Sequence, residues 1–264
     1  MLESLLKQEK RVVAGGLVFL TALAWFYLLH LHRAMAMPMA GMADMPGMMM
    51  MPMTHQWTPA DLLLTFLMWA VMMVGMMVPS ATPMILTFAA VNRQRATRGR
   101  PYVPTAIFLS GYLIAWTAFS ALAALAQWKL QAAALLDAHT QRAVPGVAGG
   151  LLLLAGLFQL TPWKNACLTR CRSPLDFLTT EWREGRGGAL RMGLQHGFYC
   201  VGCCWMLMAL LFVTGVMNLA WVAAIAAFVL AEKLLPYSLV VRGFGSAICI
   251  AAGLAWIGRI FYLG

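Results

Sequence analysis

Read from its first residue, the chain alternates long apolar runs with short basic segments. The first run spans Val12 to Leu31 and follows Lys7, Lys10 and Arg11. Six more cover about Asp61–Val91, Pro104–Trp128, Val147–Trp163, about Met192–Met217, Leu219–Leu235 and Val241–Tyr262. Asn218 marks the turn between the fifth and sixth. A helix that crosses a bilayer needs about 20 mostly apolar residues. The pattern therefore predicts an all-α, polytopic transmembrane helical bundle of about seven spans. Runs five and six are nearly continuous, so six or eight spans fit the pattern as well. Pro79 and Pro83 fall inside the second run and predict a kink or break near one of its ends. The first run lacks the usual small-residue cleavage site and reads as a retained helix, not a signal peptide.

Composition agrees with this pattern. Of 264 residues, 62% are hydrophobic and 11% charged, and the mean hydropathy is +0.76. Soluble domains carry about 25% charged residues. The net charge of +10 would suggest nucleic acid in a soluble protein. Here the basic residues sit between apolar runs, which argues against nucleic acid and records orientation instead. With the N-terminus inside and seven crossings, residues 1–11, 92–103, 164–192 and 233–242 lie inside and hold 15 of the 19 Lys and Arg. The expected topology is N-terminus in, C-terminus out, in the inner membrane, with the bilayer itself as the first partner.

Between the first two runs lies MAMPMAGMADMPGMMMMPM, residues 35–53, with 10 of the 21 methionines. Its prolines and glycines predict an irregular loop. The expected organisation is an N-terminal tail and first transmembrane helix (1–34), a Met-rich extracytoplasmic loop (35–59) and a six-helix metal-binding membrane domain (60–264). Thioethers are soft, neutral ligands that select Cu(I) over hard ions. Met35, Met37, Met39, Met42, Met45, Met48, Met49, Met50, Met51 and Met53 therefore form a candidate capture loop. His30, His32 and His55 flank it and are able to assist or to hold Cu(II). On run two, Met68, Met72 and Met76 are four apart and line one helical stripe, with Met73 and Met77 beside it. Such a stripe is ordinarily lipid-facing or packing methionine. Its nearness to the loop adds metal passage as the alternative.

Five of the six cysteines fall in two clusters. HGFYCVGCCW places His196, Cys200 and Cys204 one turn apart on run five, with Cys203 one turn from Cys200. Gly197 and Gly202 would let another helix approach closely. PWKNACLTRCRSP places Cys167 and Cys171 one turn apart if run four continues. Thiolates with an imidazole suit Cu(I) or another soft metal such as Zn(II). Both clusters fall toward the inner side, where disulfides are disfavoured. Whether they meet in one site is open at this point, and isolated Cys249 reads as packing. Glu232 and Lys233 are polar residues near the inner end of run six, close enough to the interface to snorkel, with a role for Glu232 open. Nucleotide-binding, phosphorylated-aspartate and haem-ligating signatures are missing, so neither an ATP-driven pump nor an evident enzyme is expected.

MMVGMMVPSATPM, QLTPWKNACLTRCRSP, GFYCVGCCWMLM with GVMNLAW, and Glu232-Lys233 occur in that order. Over residues 60 to 262 the chain resembles the predicted metal-binding integral membrane proteins of bacteria, a family with a domain-of-unknown-function label. The resemblance implies a multi-span helical metal-binding protein. It carries over Met72, Met73, Met76, Met77, Cys167, Cys171, Cys200, Cys203, Cys204 and Glu232, and supplies no reaction. Locally, Gly202-Cys203-Cys204 is similar to the paired cysteines of small mercury-uptake membrane proteins.

The expected function is copper capture, transfer or uptake. The outer loop takes Cu(I), the Met68–Met77 stripe passes it inward, and the Cys/His cluster holds it near the cytoplasmic side. A metallochaperone or membrane cuproenzyme would be the protein partner. Two other readings stand beside it: a membrane thiol-disulfide oxidoreductase using Cys167/Cys171 and Cys200/Cys203, and a structural subunit of a larger membrane complex.

Overall fold

A computed structural model describes residues 2–42, 57–137 and 140–263, and these are helical almost throughout. The elements are α1 (Leu2–Met42), α2 (Pro59–Ala96), α3 (Thr105–Ala132), α4 (Pro145–Leu160), α5 (Pro162–Arg172), α6 (Pro174–Glu181), α7 (Gly185–Ala209), the single turn α8 (Leu211–Thr214), α9 (Leu219–Leu234) and α10 (Ser238–Leu263). Among the described residues there is no strand, only an isolated bridge between Leu136 and Ala143. The all-α bundle expected from the hydropathy pattern is therefore what the chain forms. The seven apolar runs fall on α1, α2, α3, α4, α7 with α8, α9 and α10.

Five helices are long and apolar enough to cross a membrane, and a sixth span arises if α4 and α5, bent by 64° at their junction, count as one. At 16 residues, α9 is shorter than these five. One face of it packs into the bundle, with Val222, Ile225, Val229, Glu232 and Lys233 buried, while Trp221 and Leu234 are exposed.

Two expectations about breaks come out differently. α2 runs unbroken through Pro79 and Pro83. Pro79 has no N–H to give the Gly75 carbonyl one turn back. The Trp25 indole on α1 donates to that carbonyl instead, at 3.2 Å. The helix thus loses a hydrogen bond but leaves no orphaned acceptor there. Conversely, run four does not continue into the first cysteine pair. α4 ends at Leu160, and α5 restarts at Pro162 with Thr161 as its N-cap, its hydroxyl accepting from the Lys164 N–H at 3.3 Å. Thr before Pro is a start signal at this position, because the proline needs no hydrogen-bond partner at the first helical residue.

The segment expected to be a loop from residue 35 also needs correction. α1 is helical through Met42, including Pro38. Met and Ala are good helix formers and carry the helix past the single proline. Residues 43–56 lie outside the described residues, and with them Met45, Met48, Met49, Met50, Met51, Met53 and His55. α2 then begins with a capping box, in which the Thr58 hydroxyl accepts from the Asp61 N–H and the Asp61 carboxylate accepts from the Thr58 N–H.

The bundle is built from helix pairs: α1 with α2, α2 with α3, α3 with α7, α4 with α10, and α5 against α7. The α3–α7 pair is the closest. A Cβ on Gly193 would sit 1.9 Å from the Phe108 carbonyl oxygen, and one on Gly111 would sit 2.2 Å from the Leu190 carbonyl oxygen. Backbone therefore meets backbone, which only glycine permits. This contact sets Tyr112 on α3 beside the cysteines of α7.

Gly193→Ala should separate α3 from α7 and lower stability by about 1–3 kcal/mol or more, the usual cost of overpacking a tight contact. Gly187→Ala is the control, since its Cβ would meet nothing within 4 Å. Thermal unfolding in detergent reads the difference. Equal melting temperatures for the two variants would show that the close contact is not there.

Candidate metal centre

The sulfur atoms collect where α2, α5 and α7 meet. On α7, Cys200, Cys203 and Cys204 are all buried to 1% exposure or less. The helical spacing puts Cys204 one turn above Cys200, as expected. Cys203 Sγ and Cys204 Sγ both turn back onto the Cys200 carbonyl oxygen, at 3.1 and 2.8 Å. From α2, Met77 brings its Sδ to 3.9 Å from Cys204 Sγ.

The second cysteine pair, on α5, packs beside this cluster. Cys171, buried on α5, lies near Cys200 and Cys203. Cys167 enters through a gap on α7: a Cβ on Gly202 would lie 3.0 Å from Cys167 Sγ. Gly197 also receives α3 as expected, with the Ala115 Cβ 2.6 Å from where its own Cβ would be. All six cysteines are free thiols.

The methionine stripe is inside the protein and not toward lipid. Met68, Met72, Met73, Met76 and Met77 are all buried in the core, and Met84 continues the row. Met77 alone of these is recorded in contact with a cysteine sulfur. Nearer the N-terminus, Met35, Met37, Met39 and Met42 fall on the α1 helix, while His30 and His32 lie on exposed positions of it.

His196 is buried one turn before Cys200, but its ring is enclosed by aromatics. It stacks on Tyr112 and Phe108, with centroids at 5.6 and 6.2 Å, and meets the edge of Phe177 at 5.7 Å. Neither ring nitrogen has a hydrogen-bond partner.

Glu232 and Lys233 do not snorkel. Both are buried, and being adjacent on α9 they point in different directions. Glu232 takes both carboxylate oxygens to Lys164 Nζ at 2.8 Å, and Lys164 also donates to Gln159. Glu232 is thus neutralised by a lysine and stands apart from the sulfurs. Lys233 Nζ reaches the other way, to Cys200 Sγ at 2.9 Å and Ser80 Oγ at 2.9 Å. Tyr112 completes the surroundings of Cys200, with its hydroxyl 3.2 Å from Sγ.

Sequence reasoning passed over Lys164, Lys233, Tyr112 and Ser80 as site residues. Lys164 reads from the sequence as a basic residue inside that, with Arg170 and Arg172, would favour thiolate at the nearby cysteines. The available signal was a Glu-Lys pair ending an apolar run and a lysine directly after Pro162-Trp163, both at membrane depth.

Among the described residues, no three His, Cys, Asp or Glu side chains converge as a formed metal site. The donor chemistry nevertheless suits a soft metal ion, with the three α7 thiols, Cys171 and the Met77 thioether near one another. The α7 sulfurs hold the helix carbonyl and Lys233, and rotation about their Cα–Cβ bonds would free them.

These features define an all-helical bundle around a buried sulfur cluster. The chain belongs to the PpoB2 copper chaperone family, whose model matches residues 66–256, well over half of the chain. Copper handling is thus its family trait, in line with the resemblance to metal-binding membrane proteins. No curated protein and no solved structure matches the chain.

Removing one member of the buried Lys164–Glu232 pair should be costly and removing both should not. Glu232→Leu leaves an unpaired ammonium in the core and should cost about 3–5 kcal/mol, while Lys164→Leu/Glu232→Leu should recover most of that. Denaturation of the three proteins in detergent decides it. A double variant no more stable than Glu232→Leu would show that the two charges do not serve one another.

Proposed function

We propose that this chain is a membrane copper chaperone that binds Cu(I) as cargo through Cys200, Cys203 and Cys204, with Met77 and Cys171 completing the donor set. The observation that carries the reading is the buried cluster itself: three α7 thiols, the α5 thiol and a thioether at one helix junction, in a chain of a copper chaperone family. Cys167 stands at its edge and His196 one turn away, as further stations for the ion.

The distribution of basic residues supports an inner-membrane protein with its N-terminus in the cytoplasm and the methionine-rich segment outside. In that topology neutral thioethers come first and thiolates last. Met35 to Met53 captures, the buried stripe from Met68 to Met77 leads inward, and the cysteines hold more tightly than the thioethers. Cargo then moves by ligand exchange toward stronger donors, and from the cluster to an acceptor such as a metallochaperone or a membrane cuproenzyme. The packing of Cys167 and Cys171 against the α7 thiols favours one second reading, a thiol-disulfide oxidoreductase.

Anaerobic Cu(I) titration of the purified chain against a competing chelator tests the reading. Stoichiometric binding is expected, and Cys200→Ser/Cys203→Ser/Cys204→Ser should abolish it. A wild-type protein with no tight copper would sink the chaperone reading and leave the thiol redox alternative.

Deleting residues 35–53 should slow copper capture by membrane vesicles while leaving the stoichiometric site of the purified protein intact. Loss of that tight site on deletion would show that the methionine segment is part of it and not a separate capture stage.

A further inference from the structure

An ammonium group rests on the sulfur that copper would need. Lys233 Nζ donates to Cys200 Sγ and to Ser80 Oγ, both at 2.9 Å. The Ser80 and Tyr112 hydroxyls both donate to the Met77 carbonyl oxygen, at 2.9 and 3.1 Å. Tyr112 Oη in turn lies 3.2 Å from Cys200 Sγ. Five polar atoms thus close a ring: the Cys200 sulfur, the Lys233 nitrogen, the Ser80 hydroxyl, the Met77 carbonyl and the Tyr112 hydroxyl. Met77 joins this ring to the sulfur cluster through its thioether, 3.9 Å from Cys204 Sγ.

A buried ammonium needs an acceptor, and it repels a second cation brought to the same sulfur, strongly so in a dry interior. Cu(I) and Lys233 therefore compete for Cys200. The ammonium has somewhere to go, because Ser80 already holds it from the α2 side. The glutamate next to it in sequence is already committed to Lys164.

We propose that Lys233 is a tethered counter-cation that occupies the copper position on Cys200 and yields it to the arriving ion by shifting onto Ser80. The device lowers the affinity of the thiol cluster below what its donors alone would give. It also lets the chain release cargo, since the ammonium returns to the sulfur as the copper leaves. This inference rests on the copper-chaperone reading and assigns a positioning role to Lys233 and Ser80. It involves no covalent change.

The test is an anaerobic Cu(I) competition titration, with the release rate to the chelator, on the full chain in detergent. Lys233→Leu removes the cation without adding a ligand. It should bind Cu(I) roughly ten- to a hundred-fold more tightly, the scale on which groups behind a metal ligand alter affinity, and release it correspondingly more slowly. Ser80→Ala removes the alternative resting place and should bind more weakly. In the Lys233→Leu background, Ser80→Ala should have no effect, because the group it receives is gone. A merely structural role would not give single variants of opposite sign with the serine effect abolished by the lysine change.

Equal or weaker binding by Lys233→Leu overturns the proposal. If that variant does not fold, Ser80→Ala decides alone: weaker binding supports the proposal, and equal or tighter binding overturns it. A wild-type protein without tight copper fails the chaperone reading and this inference together. Tight wild-type binding that the triple serine variant loses, but that Lys233→Leu and Ser80→Ala leave unchanged, fails this inference alone.

Discussion

Among the described residues three cations are buried in the apolar bundle, and each is set against an acceptor. Lys164 is placed on Glu232 and Gln159. Arg242 spans the α4–α5 break, donating to the Gln159 carbonyl at 2.7 Å and to Asn165 Oδ1 at 2.7 Å. Lys233 is placed on Cys200 and Ser80. Unpaired charge is the most expensive thing such an interior can hold, so these pairings fix which way α9 and α10 are rotated. They also explain why the break after Leu160 is tolerated, since a carbonyl exposed by the end of α4 is taken up by a guanidinium. The position of the sulfur cluster follows, because α9 can satisfy Glu232 on one side only if Lys233 faces α7 on the other.

Much of this was legible in the sequence. Seven apolar runs became seven helical stretches, since length and apolarity are local properties that survive folding. The α7 motif was readable from spacing, because residues four apart on a helix share a face wherever the helix lies. The close approach at Gly197 and Gly202 followed from the lack of a side chain. What spacing does not carry is the partner across the gap. Tyr112 and Ser80 are ordinary residues on their own helices and become parts of the site only through tertiary contact. Lys164 counted as a basic residue at an inner boundary, yet α5 folds back and buries it. Thr161-Pro162 held the signal for that turn, and the apolar run masked it. For residues 35–42, the proline argued for a loop while Met and Ala favoured helix, and helix prevailed.

The copper reading draws its strength from residues that arrive from separate parts of the chain. Cys171 comes from α5, Cys200, Cys203 and Cys204 from α7, and Met77 from α2. Any one group alone has an ordinary explanation: small buried thiols, or flexible methionines filling a core. Their convergence within one junction, beside a lysine, is harder to account for by packing, which has no need of sulfur from three elements at once. Membership in a copper chaperone family then gives the convergence a cargo.

The gap at Gly202 sets a clearance. A Cβ at Gly202 would lie 3.0 Å from Cys167 Sγ, so any side chain there would press on that sulfur. α5 is an 11-residue piece joined to α4 through a 64° bend, so it is not held in register by a continuous ladder of backbone bonds. Side chains tie it down at both ends instead, Lys164 to Glu232 and Arg172 to the Leu235 carbonyl. The two thiols of α5 are thus presented to α7 by ties to α9 and the turn that follows it, and not by the helix before the bend.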